Sequence, residues 1–224
     1  MKFGRGKVVL LATICALLFS VSAYADNVLY TQAYDQSGNA YASQNDTNQG
    51  GLGNFATAYD NWNISPGGLY TVNEVQFTGS YFNGDPGTIT GWTVNVYFDS
   101  GSGSPGTLQH TAHISGNGAE TFLGTFNGFQ TYTYDLAGLN FQELSGIPYW
   151  LSVVPDLGFP PQWGWGTGTG GDGKGYQSYF GQNGPVGSDF AFTLIGSSVP
   201  EPGTFVMLGT GVLGLAGVIR RKLF

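Results

Sequence analysis

Val199-Pro200-Glu201-Pro202 places one carboxylate between two prolines. Each proline lacks an N–H and restricts the residue before it, so this segment stays extended and open to a protease. Glu201 adds a charge by which it can be recognised. An apolar run without charge fills residues 204–219, and Arg220, Arg221 and Lys222 close it. As a helix that run covers ~24 Å, short of the ~30 Å hydrocarbon core. The basic stop holds the C-terminus in the cytoplasm and leaves the chain before Pro200 outside. The N-terminus mirrors this logic. Lys2, Arg5 and Lys7 precede an apolar stretch, residues 8–19, and Ala23-Tyr24-Ala25 is a small-residue cleavage signal. Cleavage there by signal peptidase starts the mature chain at Asp26. Cys15, the single cysteine, leaves with that leader, so neither a disulfide nor a thiol nucleophile is expected afterwards.

Between the ends, few residue types are placed for catalysis. His110 and His113 are the two histidines, and on a strand positions i and i+3 point to opposite faces. Glu120 and Glu143 make a weak glycosidase pair, and no G-x-S-x-G context surrounds a serine. Gly168 to Gly175 comes one residue short of a phosphate-binding loop, because Gly175 stands where Ser or Thr is required. Two binding chemistries remain. Trp163, Trp165 and Tyr176, with Tyr179 and Phe180 nearby, flank this glycine-rich stretch, and aromatic faces beside a loop suit stacking on sugar rings, although rings that cap the core of the domain explain the same residues. Asp35, Asn39, Asn45 and Asp46 form an oxygen-rich segment of the type that holds a structural calcium, although their spacing is not that of an EF-hand and Asx turns explain the same residues. No other cofactor is expected.

Charge narrows the partners. Six of the seven basic residues lie in the two terminal signals, and Lys174 is the one cation of residues 26–198. Only Glu201 of the 14 acidic residues lies outside that stretch, which leaves it a net charge of about −12. Phosphate backbones would be repelled, which excludes nucleic acid.

The order Val199-Pro200-Glu201-Pro202, Gly/Leu/Val-rich run and Arg220-Arg221-Lys222 resembles a PEP-CTERM sorting domain over residues 199–224. Phe205-Val206-Met207 stands where many members have Ala or Leu. The resemblance implies processing by an exosortase, a membrane-embedded transpeptidase-like enzyme of exopolysaccharide-producing Gram-negative bacteria. It implies export through an inner-membrane intermediate to the cell surface or extracellular matrix. A structural or adhesive role in an exopolysaccharide biofilm is implied with it. Phe77-Thr-Gly-Ser-Tyr81, Tyr97-Phe98-Asp99 leading to Ser104-Pro105-Gly106, and Tyr149-Trp150-Leu151-Ser152-Val153 resemble features of small β-sandwich domains that carry this tag.

The elements that must hold these residues read as strands. Trp92, Val94, Val96 and Phe98 alternate on one face, and residues 70–77 alternate with Val72 out of step. Further strands fall near 28–34, 107–114, 120–126, 129–136, 147–154, 176–180 and 189–195, while 35–53 reads as polar and irregular. No helical period is sustained within 26–198. The expected architecture is all-β, a single antiparallel β-sandwich of eight to ten strands, jelly-roll-like, between a signal peptide (1–25) and a transmembrane sorting helix. The expected role is non-enzymatic, with a carbohydrate-binding module as the alternative and a secreted hydrolase behind it.

Overall fold

The computed structural model describes residues 27–65 and 67–199, with Gly209, Gly211 and Arg220 beyond them. The leader with Ala23, Ala25 and Asp26 lies outside the described residues. So do Pro200, Glu201, Pro202, Arg221, Lys222 and all of the 204–219 run except Gly209 and Gly211. Among the described residues no helix is long and apolar enough to cross a membrane.

Between residues 27 and 199 the chain is all-β. First come β1 (Asn27–Tyr34), β2 (Ala40–Ala42), β3 (Gln44–Asp46), β4 (Gly53–Trp62) and β5 (Leu69–Phe82). The middle holds β6 (Gly91–Asp99), β7 (Pro105–Ser115), β8 (Thr121–Phe126), β9 (Phe129–Leu144) and β10 (Tyr149–Asp156). The last are β11 (Gln162–Thr169), β12 (Gly175–Tyr179), β13 (Gln182–Val186), β14 (Asp189–Phe190) and β15 (Phe192–Val199).

These strands form two sheets. An eight-stranded sheet runs β14-β11-β1-β15-β5-β9-β8 with β2 paired to β11, and a seven-stranded sheet runs β13-β12-β4-β3-β10-β6-β7. The pairings are antiparallel. The exception is β3 with β10, which pair in parallel at Asn45 and Asp156. Side chains of both sheets share one core: Val75, Phe77, Leu136 and Trp163 from the first, Trp92, Val94, Val96 and Leu151 from the second. Phe77 meets Trp92 edge-on with ring centroids 5.0 Å apart. Such contacts add to the large apolar area each ring removes from water.

The alternation expected at 92–98 places Trp92, Val94 and Val96 in the core, with Phe98 at the strand's end stacked on Tyr149. Val72 is out of step because β5 bulges against β15, where Val72 pairs with Gly196 and Glu74 with the adjacent Ile195. One extra residue there turns Val72, Val75 and Phe77 all inward. The expectation of eight to ten strands is corrected to the fifteen above. The polar stretch 35–53 contains β2 and β3, held by buried amide and hydroxyl groups rather than by apolar alternation. Ser43 Oγ donates to Val153 O at 2.6 Å. Gln44 Nε2 donates to Leu157 O at 2.9 Å, and its Oε1 accepts from Trp163 N at 2.8 Å.

Candidate functional site

β11 alternates Trp163-Gly164-Trp165-Gly166, which sends both indoles to one face. That face is the core. Trp163 and Trp165 are each 0% exposed, so neither is the sugar-stacking platform that the sequence suggested. Trp163 packs edge-on against Trp92 at 5.2 Å and donates from Nε1 to Tyr134 Oη at 3.0 Å. Trp165 stacks on Phe190 at 5.1 Å and donates to Ala191 O at 2.9 Å. Both polar N–H groups are satisfied, as buried indoles require. Tyr176, on β12, is half-buried between Tyr59 and Trp150, with centroids 6.4 Å and 6.3 Å away.

The four calcium candidates fall into two groups that serve the fold. Asp35 Oδ2 accepts from Thr167 Oγ1 at 2.6 Å, and Asn39 O accepts from Thr167 N at 3.0 Å. Asn45 Nδ2 donates to Asp156 Oδ1 at 2.7 Å. Asp46 accepts from the backbone N–H groups of Asn48, Leu52 and Phe159 at 2.7–3.0 Å. These donors favour its charged form and hold its carboxyl below the usual carboxylate value, against the desolvation of burial, which acts the other way and is the largest influence. Among the described residues no group of three or more His, Cys, Asp or Glu side chains is placed to hold a metal ion.

The two histidines do lie on opposite faces of β7. The His110 ring stacks on Phe141 at 5.1 Å, and His113 Nδ1 lies 3.0 Å from Thr93 Oγ1. The two glutamates have separate partners. Glu143 is buried 3.5 Å from His110 Nε2. Burial pushes its carboxyl up to about 7. Glu120 accepts from Tyr81 Oη at 2.5 Å and from Tyr134 Oη at 2.8 Å. Glu120→Ala should therefore cost about 2–5 kcal/mol, because two buried phenols lose their acceptor. Glu120→Gln, which keeps a carbonyl oxygen, should cost less than half of that. Urea unfolding of the two variants measures the difference, and equal losses would show that the phenols do not depend on this acceptor.

The glycine-rich stretch is pinned as well. Asp189 accepts from Gly171 N at 3.1 Å and from Gly173 N at 2.7 Å, and Lys174 Nζ pairs with Asp172 at 2.8 Å. Beneath it Asp60, fully buried on β4, accepts from Phe190 N and from Asn61 N. With the Gln32 amide turned so that both of its ends are satisfied, Gln32 donates to Asp60 Oδ2 at 2.9 Å and accepts from Tyr30 Oη at 2.8 Å. Burial, with the charges of Asp189 and Asp172, pushes the Asp60 carboxyl up to about 8 against the pull of the Phe190 and Asn61 N–H groups.

Aromatic surface does exist, on the other sheet from the indoles. The two-residue turn Phe180-Gly181 joins β12 to β13 below the Tyr179–Gln182 pair. Tyr179 is 41% exposed and Phe180 56% exposed, with ring centroids 4.8 Å apart. A cleft of about 500 Å³ beside them is lined also by Gln177, Gln182 and Asn183. The signal for this site was Phe-Gly at a turn position, obscured in sequence by the larger indoles nearby.

After this hairpin and β14, β15 pairs with β1 and β5 as far as Val199↔Leu69, and Pro200 follows at once. Residues 198–222 match the family model of the PEP-CTERM protein-sorting motif. The chain carries a PEP-CTERM sorting motif. That motif makes it an exosortase substrate, exported and sorted through a membrane-anchored intermediate. Comparison with curated proteins finds no match to the chain.

Proposed function

We propose that this chain is a non-enzymatic protein of the cell surface or extracellular matrix of a Gram-negative bacterium. Residues 26–198 form its delivered part, a jelly-roll-like β-sandwich with a structural or adhesive role in exopolysaccharide. The PEP-CTERM motif placed directly after β15 carries this reading. Two further observations support it. The two glutamates that catalysis would pair lie in separate contacts, Glu120 with two tyrosine hydroxyls and Glu143 beside His110, while His113 meets Thr93. The acidic surface also suits a protein that works outside the cell among neutral chains rather than on nucleic acid.

Mass spectrometry of the exported protein tests the sorting step. In a host with an active exosortase the product should begin at Asp26 and lack Arg220 to Phe224. In a host without one, the same tail should stay in the membrane fraction. A full-length tail recovered from the exosortase-bearing host would overturn the reading.

A further inference from the structure

The chain contains two hairpins closed by the same kind of turn. Between β8 and β9 the turn is Asn127-Gly128, with φ of 49° and 84°. Between β12 and β13 it is Phe180-Gly181, with φ of 50° and 77°. Two-residue turns with positive φ at both positions match the twist of the flanking strands and favour Asn-Gly. Asn tolerates that backbone, whereas a bulky aromatic residue there is an outlier. The chain thus uses the relaxed solution at one hairpin and a strained one at the other. Strain of this kind gathers where a side chain is needed for something besides folding.

Packing explains only part of Phe180. Its N–H donates to Phe55 O at 2.8 Å, and its ring lies tilted over Phe55 at 5.2 Å. More than half of its surface still faces solvent, beside the exposed Tyr179. The cleft next to the two rings has a volume within the range of small-ligand sites. Exposed amides of Gln182 and Asn183 line it, and no charged side chain does. Rings offer apolar faces to C–H groups, and amides both donate to and accept from hydroxyls. A cleft without charge on an acidic domain selects a neutral ligand over an anionic polymer or an anionic bilayer.

We infer that the tip of the β12–β13 hairpin, Tyr179 and Phe180 with Gln182 and Asn183, binds a neutral polysaccharide. This deepens the surface-protein reading, on which it rests, by naming the face that holds the polymer.

The test uses the full chain, purified in a zwitterionic detergent, in affinity electrophoresis through galactomannan, xylan and dextran, with alginate as the anionic control. At least one neutral polymer should retard the protein and alginate should not. Phe180→Asn restores the relaxed Asn-Gly turn, so it should keep the unfolding midpoint while weakening retardation about ten-fold. Tyr179→Ala should weaken it similarly. Absence of retardation in all three neutral gels overturns the proposal, as does undiminished retardation of Phe180→Asn. Binding to phosphatidylcholine–phosphatidylglycerol vesicles that is lost in the same variants would also overturn it and assign the tip to a bilayer. Tail removal is read separately by mass spectrometry. A protein correctly processed but not retarded therefore loses the site and keeps the sorting.

Discussion

Trp163→Ala should lower the stability of the domain by about 3–5 kcal/mol. The indole is fully buried, and Phe77, Trp92 and Tyr134 all meet it edge-on within 6.1 Å. Truncation removes that apolar contact and leaves a cavity that the paired strands cannot close, since β11 is tied to β5 through Gln162, Trp163, Gly164 and Trp165. The backbone is shaped around this ring as well. A Cβ on Gly79 would fall inside the Trp163 indole. Gly79→Ala should therefore destabilise in the same way, although it adds only one methyl group. Trp163→Phe should recover part of the loss while leaving the indole N–H contact to Tyr134 unmade. Urea unfolding with an unchanged dependence on denaturant checks the series. A loss below about 1 kcal/mol for Trp163→Ala would contradict the packing described. This result also bears on ligand experiments, because binding lost in Trp163→Ala would report an unfolded domain and not a missing platform.

Stability should fall as pH rises from about 4 to about 8. Two carboxyls drive it: Asp60, raised by burial from its ordinary 3.8 to about 8, and Glu143, raised by burial from 4.5 to about 7. For a group whose folded value lies above its unfolded value, the folded state binds the proton more tightly. Its contribution is fully present below the unfolded value and is lost as pH climbs through the folded one. Each such group tilts the stability curve by ~1.4 kcal/mol per pH unit within its own window, and the two windows overlap between pH 4.5 and 7. The domain should therefore be several kcal/mol more stable at pH 5 than at pH 8. Asp60→Asn should remove the fall between pH 7 and 8, and Glu143→Gln should flatten the part below 7. Denaturant titrations at pH 5, 6, 7 and 8 give the slope directly. A stability that rises with pH across this range would show that both carboxylates are charged and compensated in the fold.

The legible parts of the sequence were those where one physical rule acts alone. Trp92, Val94 and Val96 alternate because β6 buries one face, and that is visible as a period of two. The sorting tail is legible for a similar reason: proline, apolar run and basic stop each have one function, and their order is fixed by the membrane. β4 and β11 were not anticipated because they break the usual composition of strands. β4 buries Asp60 between Ala58 and Trp62, so its inner face does not read as apolar. β11 places glycine at every second position beside tryptophan, and glycine is weak in strands unless something approaches closely. Here Tyr34 lies over Gly166 and Phe82 over Gly164, so the absent side chains are filled by neighbours distant in sequence. The aromatic residues were ambiguous on the same account. Large rings near a glycine-rich stretch fitted both a sugar platform and the core, and strand parity decides between them: it places Trp163 and Trp165 in the core and releases Phe180 at a turn.

β15 has a mechanical consequence. It is an inner strand of its sheet, hydrogen-bonded to β1 along Asn27–Gln32 on one side and to β5 along Leu69–Phe77 on the other. The sorting tail continues from Val199. A pull exerted through the tail along the axis of β15 enters at a strand clamped on two sides. The bonds of both ladders then carry the load together in shear, instead of opening one after another as they would at a sheet edge. A protein held to a surface by this end would resist drag through a strand bonded on both sides, and a protein cut free there would keep that strand intact.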